Sequence, residues 1–412
     1  MDHVSPLRFH AAQEATAALV LADTWRIATL PRPALQAAII IPVKDEAENL
    51  PHTLAALAAQ TDLAGQPLPP DSYEIIVLAN NCHDQTAAVA RRFAAAHPHL
   101  ALHVGEITLP PAQAHVGRAR RLLMDEACRR LELVPATEGV ILSTDGDTRV
   151  APTWVAATLA EISTHQAEAV GGRILTPQAN DRPAERRYHL RDTAYRLLRA
   201  RLESLIDPNP ADPWPRHHQH FGASFAITAR AYRRVGGLPE VAYLEDEALY
   251  QALCRHDLRV RHSPAVRVFT SDRHEGRVEV GLSWQLRQWS ALHEQQREPM
   301  VEGAAQLLAG WQDRRALRQF WQQTLLSSAP AQTLPSELTV PILAERLGIS
   351  IVLLAQRLRQ MAAFGELWAW VQQEQDQAGR SQRWPLVPLS CAVAELRQQV
   401  ACHESRQAVP VS

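Results

Sequence analysis

Two rhythms of apolar and polar positions run along this chain, and the switches between them lay out its elements. Continuous apolar runs at Ala37-Ala-Ile-Ile-Ile-Pro-Val43 and Tyr73-Glu-Ile-Ile-Val-Leu78 read as strands buried on both faces. Shorter runs at 100–104, 140–142 and 169–175 read the same way. Between them the apolar spacing is helical, over about 46–60, 84–96, 113–131 and 152–165. Asp84 is placed to cap the second of these helices. Residues 62–71, with a glycine and three prolines, read as a loop. Such strand–helix alternation predicts an α/β fold: a Rossmann-like mixed sheet, mainly parallel, with helices on both faces.

Beyond residue 180 the rhythm becomes mostly helical. An arginine-dense helix is expected over 182–206, then a proline-rich loop at 207–215. A strand is expected at 221–226, a short helix at 229–235 closed by Gly236-Gly237, and a helix at 245–254. Two short strands follow, at 259–261 and 265–269. From about 278 to 374 the pattern is helical and rich in Gln, Ala, Leu and Trp; the last thirty or so residues look loosely organised. The expected domains are a helical lead-in over 1–36, a catalytic domain over 37–277 and a mainly helical extension over 278–412.

Composition narrows the class. The chain has 412 residues, 46% hydrophobic and 21% charged, which suits a globular protein with a real core. A net charge of -2 gives no electrostatic reason to expect nucleic acid or an anionic membrane as partner. The five cysteines are scattered without a Cys-x-x-Cys pair, which argues against a disulfide framework or zinc knuckle. No apolar stretch approaches the ~20 residues needed to span a bilayer, and the start lacks the pattern of a signal peptide. A cytoplasmic protein is the expectation.

The densest chemistry follows the 140–142 run, in Ser143-Thr-Asp-Gly-Asp147. At the carboxyl end of a parallel strand, side chains face the crevice where α/β proteins bind ligands. Asp145 and Asp147, one residue apart, suit one hard divalent cation, and Gly146 lets the turn bend and a ligand approach. The bland alternative is a solvated turn. The first strand ends in Pro42-Val-Lys-Asp-Glu46, where Asp45 or Glu46 can meet ribose hydroxyls or simply complement a helix start. Asn80 and Asn81 end the second strand with paired donors and acceptors that can read a base edge. Gly117-Arg-Ala-Arg-Arg121 begins a basic helix; the planar forks of Arg118 and Arg120 suit a diphosphate, unless that face is only solvated.

Three later segments add to this. The small-residue stretch Phe221-Gly-Ala-Ser-Phe225 can let a bulky substrate approach the backbone, and the histidines at 217, 218 and 220 precede it. Glu245-Asp246-Glu247 opens a helix, either as dipole partners or with a general base among them. His274 can complete a two-carboxylate metal site, with His262 its competitor.

Taken in order, these segments resemble the inverting nucleotide-sugar glycosyltransferases of family 2, with the A-type glycosyltransferase fold. The resemblance covers about 37–277 and rests on Ile39–Asn49, Glu74–Thr86, Gly117–Arg120, Asp145-Gly-Asp147 with Pro152-x-Trp154, Gly222–Arg230 leading to Gly236-Gly237, and Glu245-Asp246. It implies a donor site of Pro42, Lys44, Asp45, Glu46, Asn80, Asn81, Arg118, Arg120 and Asp145. It implies Mn²⁺ or Mg²⁺ on Asp145, Asp147 and His274, acceptor contacts at Gly222, Ala223 and Ser224, and Asp246 as base beside Glu245. The donor would be a UDP- or GDP-sugar and the acceptor a small molecule, glycan or lipid.

Two departures matter. The base-binding turn usually has an aspartate where this chain has Ala79 or Asn80. Processive members carry Gln-x-x-Arg-Trp, whereas this chain has Gln285-Leu-Arg-Gln-Trp289, so transfer of a single sugar is expected. A nucleotidyltransferase and a non-catalytic binding module are the competing classes. Residues 343–361 faintly resemble a helix-turn-helix without a basic footprint; a helical cover or a homodimer surface through the C-terminal helices fits them better.

Overall fold

The computed structural model describes residues 25–134, 138–176, 183–270, 282–326 and 339–408. The chain forms two compact units that interleave along the sequence: residues 1–178, 219–250 and 260–284 in one, and 179–218, 251–259 and 285–412 in the other. The arginine-dense helix and the loop after it thus belong with the C-terminal helices rather than with the sheet.

The first unit contains β1 (Ala37–Val43), α1 (Leu50–Ala58), β2 (Tyr73–Asn80), α2 (Thr86–Ala96), β3 (Ala101–Ile107), α3 (Val116–Glu132), β4 (Val140–Ser143) and β5 (Thr148–Val150). Next come α4 (Trp154–His165) and β6 (Ala169–Leu175). The eight strands of its sheet lie in the order β3-β2-β1-β4-β7-β6-β8-β5, where β7 is Phe225–Thr228 and β8 is Val260–Thr270. β3, β2, β1 and β4 are parallel neighbours, as are β6 and β8; β7 and β5 run antiparallel to theirs. The mixed, mainly parallel sheet matches the expected class.

β2 is buried along its whole length and β1 at all but one position, as apolar runs on central strands must be. Their side chains join those of α1 and α4 in one core around Ile39, Ile41, Leu54, Ile75, Val77, Leu142 and Trp154. Because β2 and β4 flank β1 on opposite sides, the chain reverses direction across the sheet there. Such a switch point opens a crevice at the carboxyl ends of the strands.

Several expectations need correction. Residues 25–36 contain no helix, and the rest of the lead-in lies outside the described residues. The strand expected at 221–226 is a single 3-10 turn, Gly222–Ser224, leading into β7, and the short helix α6 (Ala229–Arg234) follows. The two strands expected at 259–269 are one strand, with the register against β6 shifting between Gly172 and Arg173.

The second unit is helical. Its helix α5 (Pro183–Ile206) packs with the two-stranded pair β9 (Met300–Val301) and β10 (Val387–Pro388) and with the last helix, Leu389–Ala408. The chain end is therefore not loose: Leu389, Ala392, Val393, Leu396 and Val400 recur at helical spacing and are buried. Trp311 packs here, while Trp321 and Trp370 share a second core with Leu343, Leu347 and Leu354, the helix-turn-helix-like pair. No described helix is long and apolar enough to cross a membrane.

Candidate active site

The crevice at the carboxyl ends of β1 and β4 is built backbone first. Thr144 N–H donates to Ile40 C=O, which carries the β1–β4 pairing up to the acidic turn. Thr53 Oγ1, on α1, donates to Gly146 C=O at 2.9 Å. A Cβ on Gly146 would stand 2.7 Å from Val43 and 3.2 Å from Glu46. The glycine is thus needed for close packing of this turn against the β1 turn.

Arg120 is the centre of the site. It projects from the first turns of α3, only 4% exposed. Its Nη2 donates to Asp145 Oδ1 at 2.8 Å and its Nη1 to Ser143 Oγ at 3.3 Å; its Nε lies 3.4 Å from Glu245 Oε1. Gly222 makes room for it: a Cβ there would lie 1.3 Å from Arg120 Nη1. Gly222 C=O accepts from Ser143 Oγ at 2.9 Å and its N–H donates to Asp246 Oδ2 at 2.9 Å. Four segments scattered over more than a hundred residues therefore meet around one guanidinium: the start of α3, the turn after β4, the turn before β7, and the first turn of α7 (Glu245–Arg255).

The charges there do not cancel. Burial and the neighbouring Asp246 charge push Asp145 above the usual carboxylate range, despite Arg120. Burial pushes Glu245 up as well, again against the pull of Arg120. For Arg120 itself, burial is outweighed by Asp145, Glu245 and Asp246, which hold it firmly protonated. One cation faces three carboxylates, and the residual charge is negative.

The sequence around this arrangement has known relatives. Residues 38–225 match the model of the family "Glycosyl transferase family 2". Residues 38–225 thus resemble a family 2 glycosyltransferase domain. It is 30% identical over 151 residues to "Glycosyltransferase AglE" of Haloferax volcanii, a match covering 36% of this chain and 43% of that one. Among solved structures, the chain is similar to the mannosyltransferase PcManGT from Pyrobaculum calidifontis in complex with GDP-Man and Mn²⁺, at 17% identity and a TM-score of 0.43, covering 97% of this chain and 95% of that one. It is also similar to S. aureus TarS 1-349 in complex with UDP-GlcNAc, at 14% identity and a TM-score of 0.43, covering 84% and 92%.

Within 38–225, the residues expected to bind a donor divide by what they already hold. Asp147 is half-buried at the entrance to β5. Pro42 and Lys44 are half-buried at the β1 end, and Glu46 is buried with its Oε2 accepting from Asn49. Asn80 is 5% exposed and its Oδ1 has no protein partner among the described residues. Asn81 differs: in a left-handed conformation, its amide accepts from Leu109 N–H at 3.0 Å and donates to Leu109 C=O at 2.9 Å. That bracket ties β2's end to the segment just beyond β3. Arg118 pairs with Glu240 at 2.6 Å. Arg121, the last of the same basic stretch, donates to the Gly236 and Leu238 carbonyls and to Asp125.

The segment expected to contact the acceptor is closely packed. Ser224 is 1% exposed and accepts from Trp154 Nε1 at 3.1 Å; Ala223 is buried beside it. Small residues here let the segment pack closely against Arg120 and Trp154. His274 lies outside the described residues. His262 sits within β8, opposite Gly171, buried against His220, and not at a strand end.

Sequence reasoning passed over one cluster. Asp45, Cys82 and Asp84 place potential ligand atoms within 4.8 Å of one another. Their atoms are largely occupied: Asp45 accepts from His83 N–H at 2.6 Å, Asp84 from Ala47 and Thr86 N–H, and Cys82 Sγ from Asp45 N–H. The cluster locks the turns after β1 and β2 together. The N-cap position of α2 is Gln85, and Asp84 instead braces the helix start through Thr86 N–H while accepting from Ala47 N–H of the β1 turn. Asp45, at a left-handed φ of 52°, is held by its bond to His83, 38 positions away.

Proposed function

We propose that this protein moves one sugar from a nucleoside-diphosphate sugar to an acceptor hydroxyl, with inversion, in a single metal-dependent displacement. The observation that carries the reading is the joining of the Asp145-Gly-Asp147 turn to Glu245-Asp246 through buried Arg120. A donor diphosphate and an acceptor need those two elements side by side.

In this reading the acceptor oxygen attacks the anomeric carbon while Asp246 takes its proton. The bond from that carbon to the diphosphate breaks on the opposite face, and the nucleoside diphosphate leaves with the electron pair. No covalent sugar–enzyme intermediate forms. The Gly222 N–H holds Asp246 in place for this step. Arg120 is too enclosed by carboxylates to serve as a free diphosphate fork; its role is to hold Asp145 and Glu245 apart in charge and together in space.

The acidic turn fits a divalent cation. Asp145 and Asp147 offer hard oxygen donors, both half-buried, in a cluster whose negative charge exceeds its one buried cation. Mn²⁺ or Mg²⁺ would be held by Asp145 and Asp147, with His274 the third ligand. When bound, it supplies positive charge to the departing diphosphate. Pro42, Lys44, Asp45, Glu46 and Asn80 would line the nucleoside side, Asn80 through its unpaired Oδ1. Gln288 in place of arginine supports single transfer rather than polymer synthesis.

The test is a panel of UDP- and GDP-sugars incubated with the protein and Mn²⁺ or Mg²⁺. Release of nucleoside diphosphate is expected. Pyrophosphate would indicate nucleotidyl transfer, and neither product would indicate a binding module.

A further inference from the structure

The run Glu245-Asp246-Glu247 is gripped one residue at a time. Glu245 meets Arg120, Asp246 accepts from Gly222 N–H, and Glu247 Oε2 lies 2.7 Å from His220 Nε2. Two of these three partners come from one short segment, 219–224. That segment is fixed to β6: the Gln219 amide accepts from Ile174 N–H at 2.8 Å and donates to Ile174 C=O at 3.2 Å. Gly171 allows the contact, since a Cβ there would stand 2.3 Å from Gln219 O.

His220 is held on every side. Its ring stacks on Tyr250, one helical turn beyond Asp246, with centroids 3.8 Å apart and planes 9° from parallel. Its Nδ1 is 3.4 Å from His262 Nε2 on β8. A carboxylate facing Nε2 places the proton on that nitrogen, so the ring donates to Glu247. His220 and the Gly222 amide, backed by β6 and β8, thus form a platform that receives the start of α7, with Tyr250 the α7 side chain stacked on it.

From this we infer that His220 is a positioning residue: through Glu247 and Tyr250 it fixes the turn that carries Asp246, and so the aim of the Asp246 carboxylate. The inference rests on Asp246 being the base. Glu247 has no place in the chemistry itself; its value lies in the hydrogen bond that His220 gives it. A misaimed base costs rate without loosening the donor, because the donor's own contacts lie on β1, β2 and β4.

The experiment compares His220→Ala, His220→Gln and Asp246→Asn in the full chain, by amide hydrogen exchange and by steady-state transfer with the donor that the panel identifies. In His220→Ala, exchange should rise about tenfold or more over 219–224 and 244–250 and stay unchanged over β1 and β2. Its kcat should fall roughly ten- to a hundredfold with donor KM near wild type. His220→Gln, whose amide can still donate to Glu247, should recover much of both. Unchanged exchange in those two segments overturns the positioning role, with or without a donor. So does wild-type kcat in His220→Ala when Asp246→Asn is inactive. Normal turnover in Asp246→Asn overturns instead the base assignment beneath it.

Discussion

Helix α3 carries two buried arginines, ten residues apart, and they live in opposite surroundings. Arg130, near the carboxyl end, reaches the amino-terminal edge of the sheet. There it binds Glu74 through two hydrogen bonds, at 2.9 and 2.6 Å, with both side chains 1% exposed. One arginine meets one carboxylate, and His103 lies 3.4 Å from the same glutamate. Burial would raise the Glu74 carboxyl, but His103 and Arg130 overcome it and hold it below its usual range. Arg120, near the amino end, reaches the other edge of the same sheet and faces Asp145, Glu245 and Asp246 together. There Asp145 and Glu245 are raised. A balanced ion pair belongs to the structure; an unbalanced one is a place prepared for something else to bind.

Breaking the balanced end should produce the largest effect. Glu74→Ala strands a buried guanidinium and should cost about 3–5 kcal/mol, read from denaturant midpoints. The pH dependence follows from the lowered Glu74 carboxyl. Its contribution is complete above the ordinary carboxylate pKa and is lost as pH falls through the lower folded value. A wild-type acid transition that is blunted in Glu74→Gln checks the sign.

At the other edge the largest effect should fall on rate and not on folding. Asp246→Asn should reduce turnover on the order of 10²–10⁴-fold, with donor affinity and thermal midpoint near wild type. If Glu245–Glu247 only complements the dipole of α7, the loss would instead be ~0.3–1 kcal/mol of stability with near-normal turnover.

The smallest effect should have the opposite sign to that of Glu74. A raised carboxyl holds its proton longer in the folded state, so its cost to folding grows as pH rises above the ordinary carboxylate value. Glu245→Gln removes that cost and should raise stability at neutral pH by about 0.5–1 kcal/mol while lowering activity. A thermal melt at pH 7 and again near pH 4 should show the gain shrinking with acid. A destabilised variant at pH 7 would mean that this edge is as balanced as the other.

Much of this contrast was legible in the sequence, for a physical reason. The strands and the acidic turn are local: apolar runs bounded by carboxylates announce themselves within ten residues. The pairing of Arg120 with Glu245 is not local, since the partners are 125 positions apart and only the folded sheet brings them together. The same holds for Asn81, whose bracket on Leu109 depends on β2 lying beside β3. The small residues Gly222 and Ser224 also have distant partners, Arg120 and Trp154, that no local pattern announces. The last helix was missed because its apolar stripe is narrow and its other positions mix Gln, Arg, His, Glu, Ser, Cys and Ala.

The most direct test of the account is calorimetry of UDP and GDP binding with and without Mn²⁺, in wild type and Asp147→Ala. The account predicts that one nucleotide binds in a metal-dependent way, and that Asp147→Ala abolishes the metal dependence while its thermal midpoint stays near wild type. Metal-dependent affinity unchanged in Asp147→Ala, or no metal-dependent binding of either nucleotide to wild type, would contradict it.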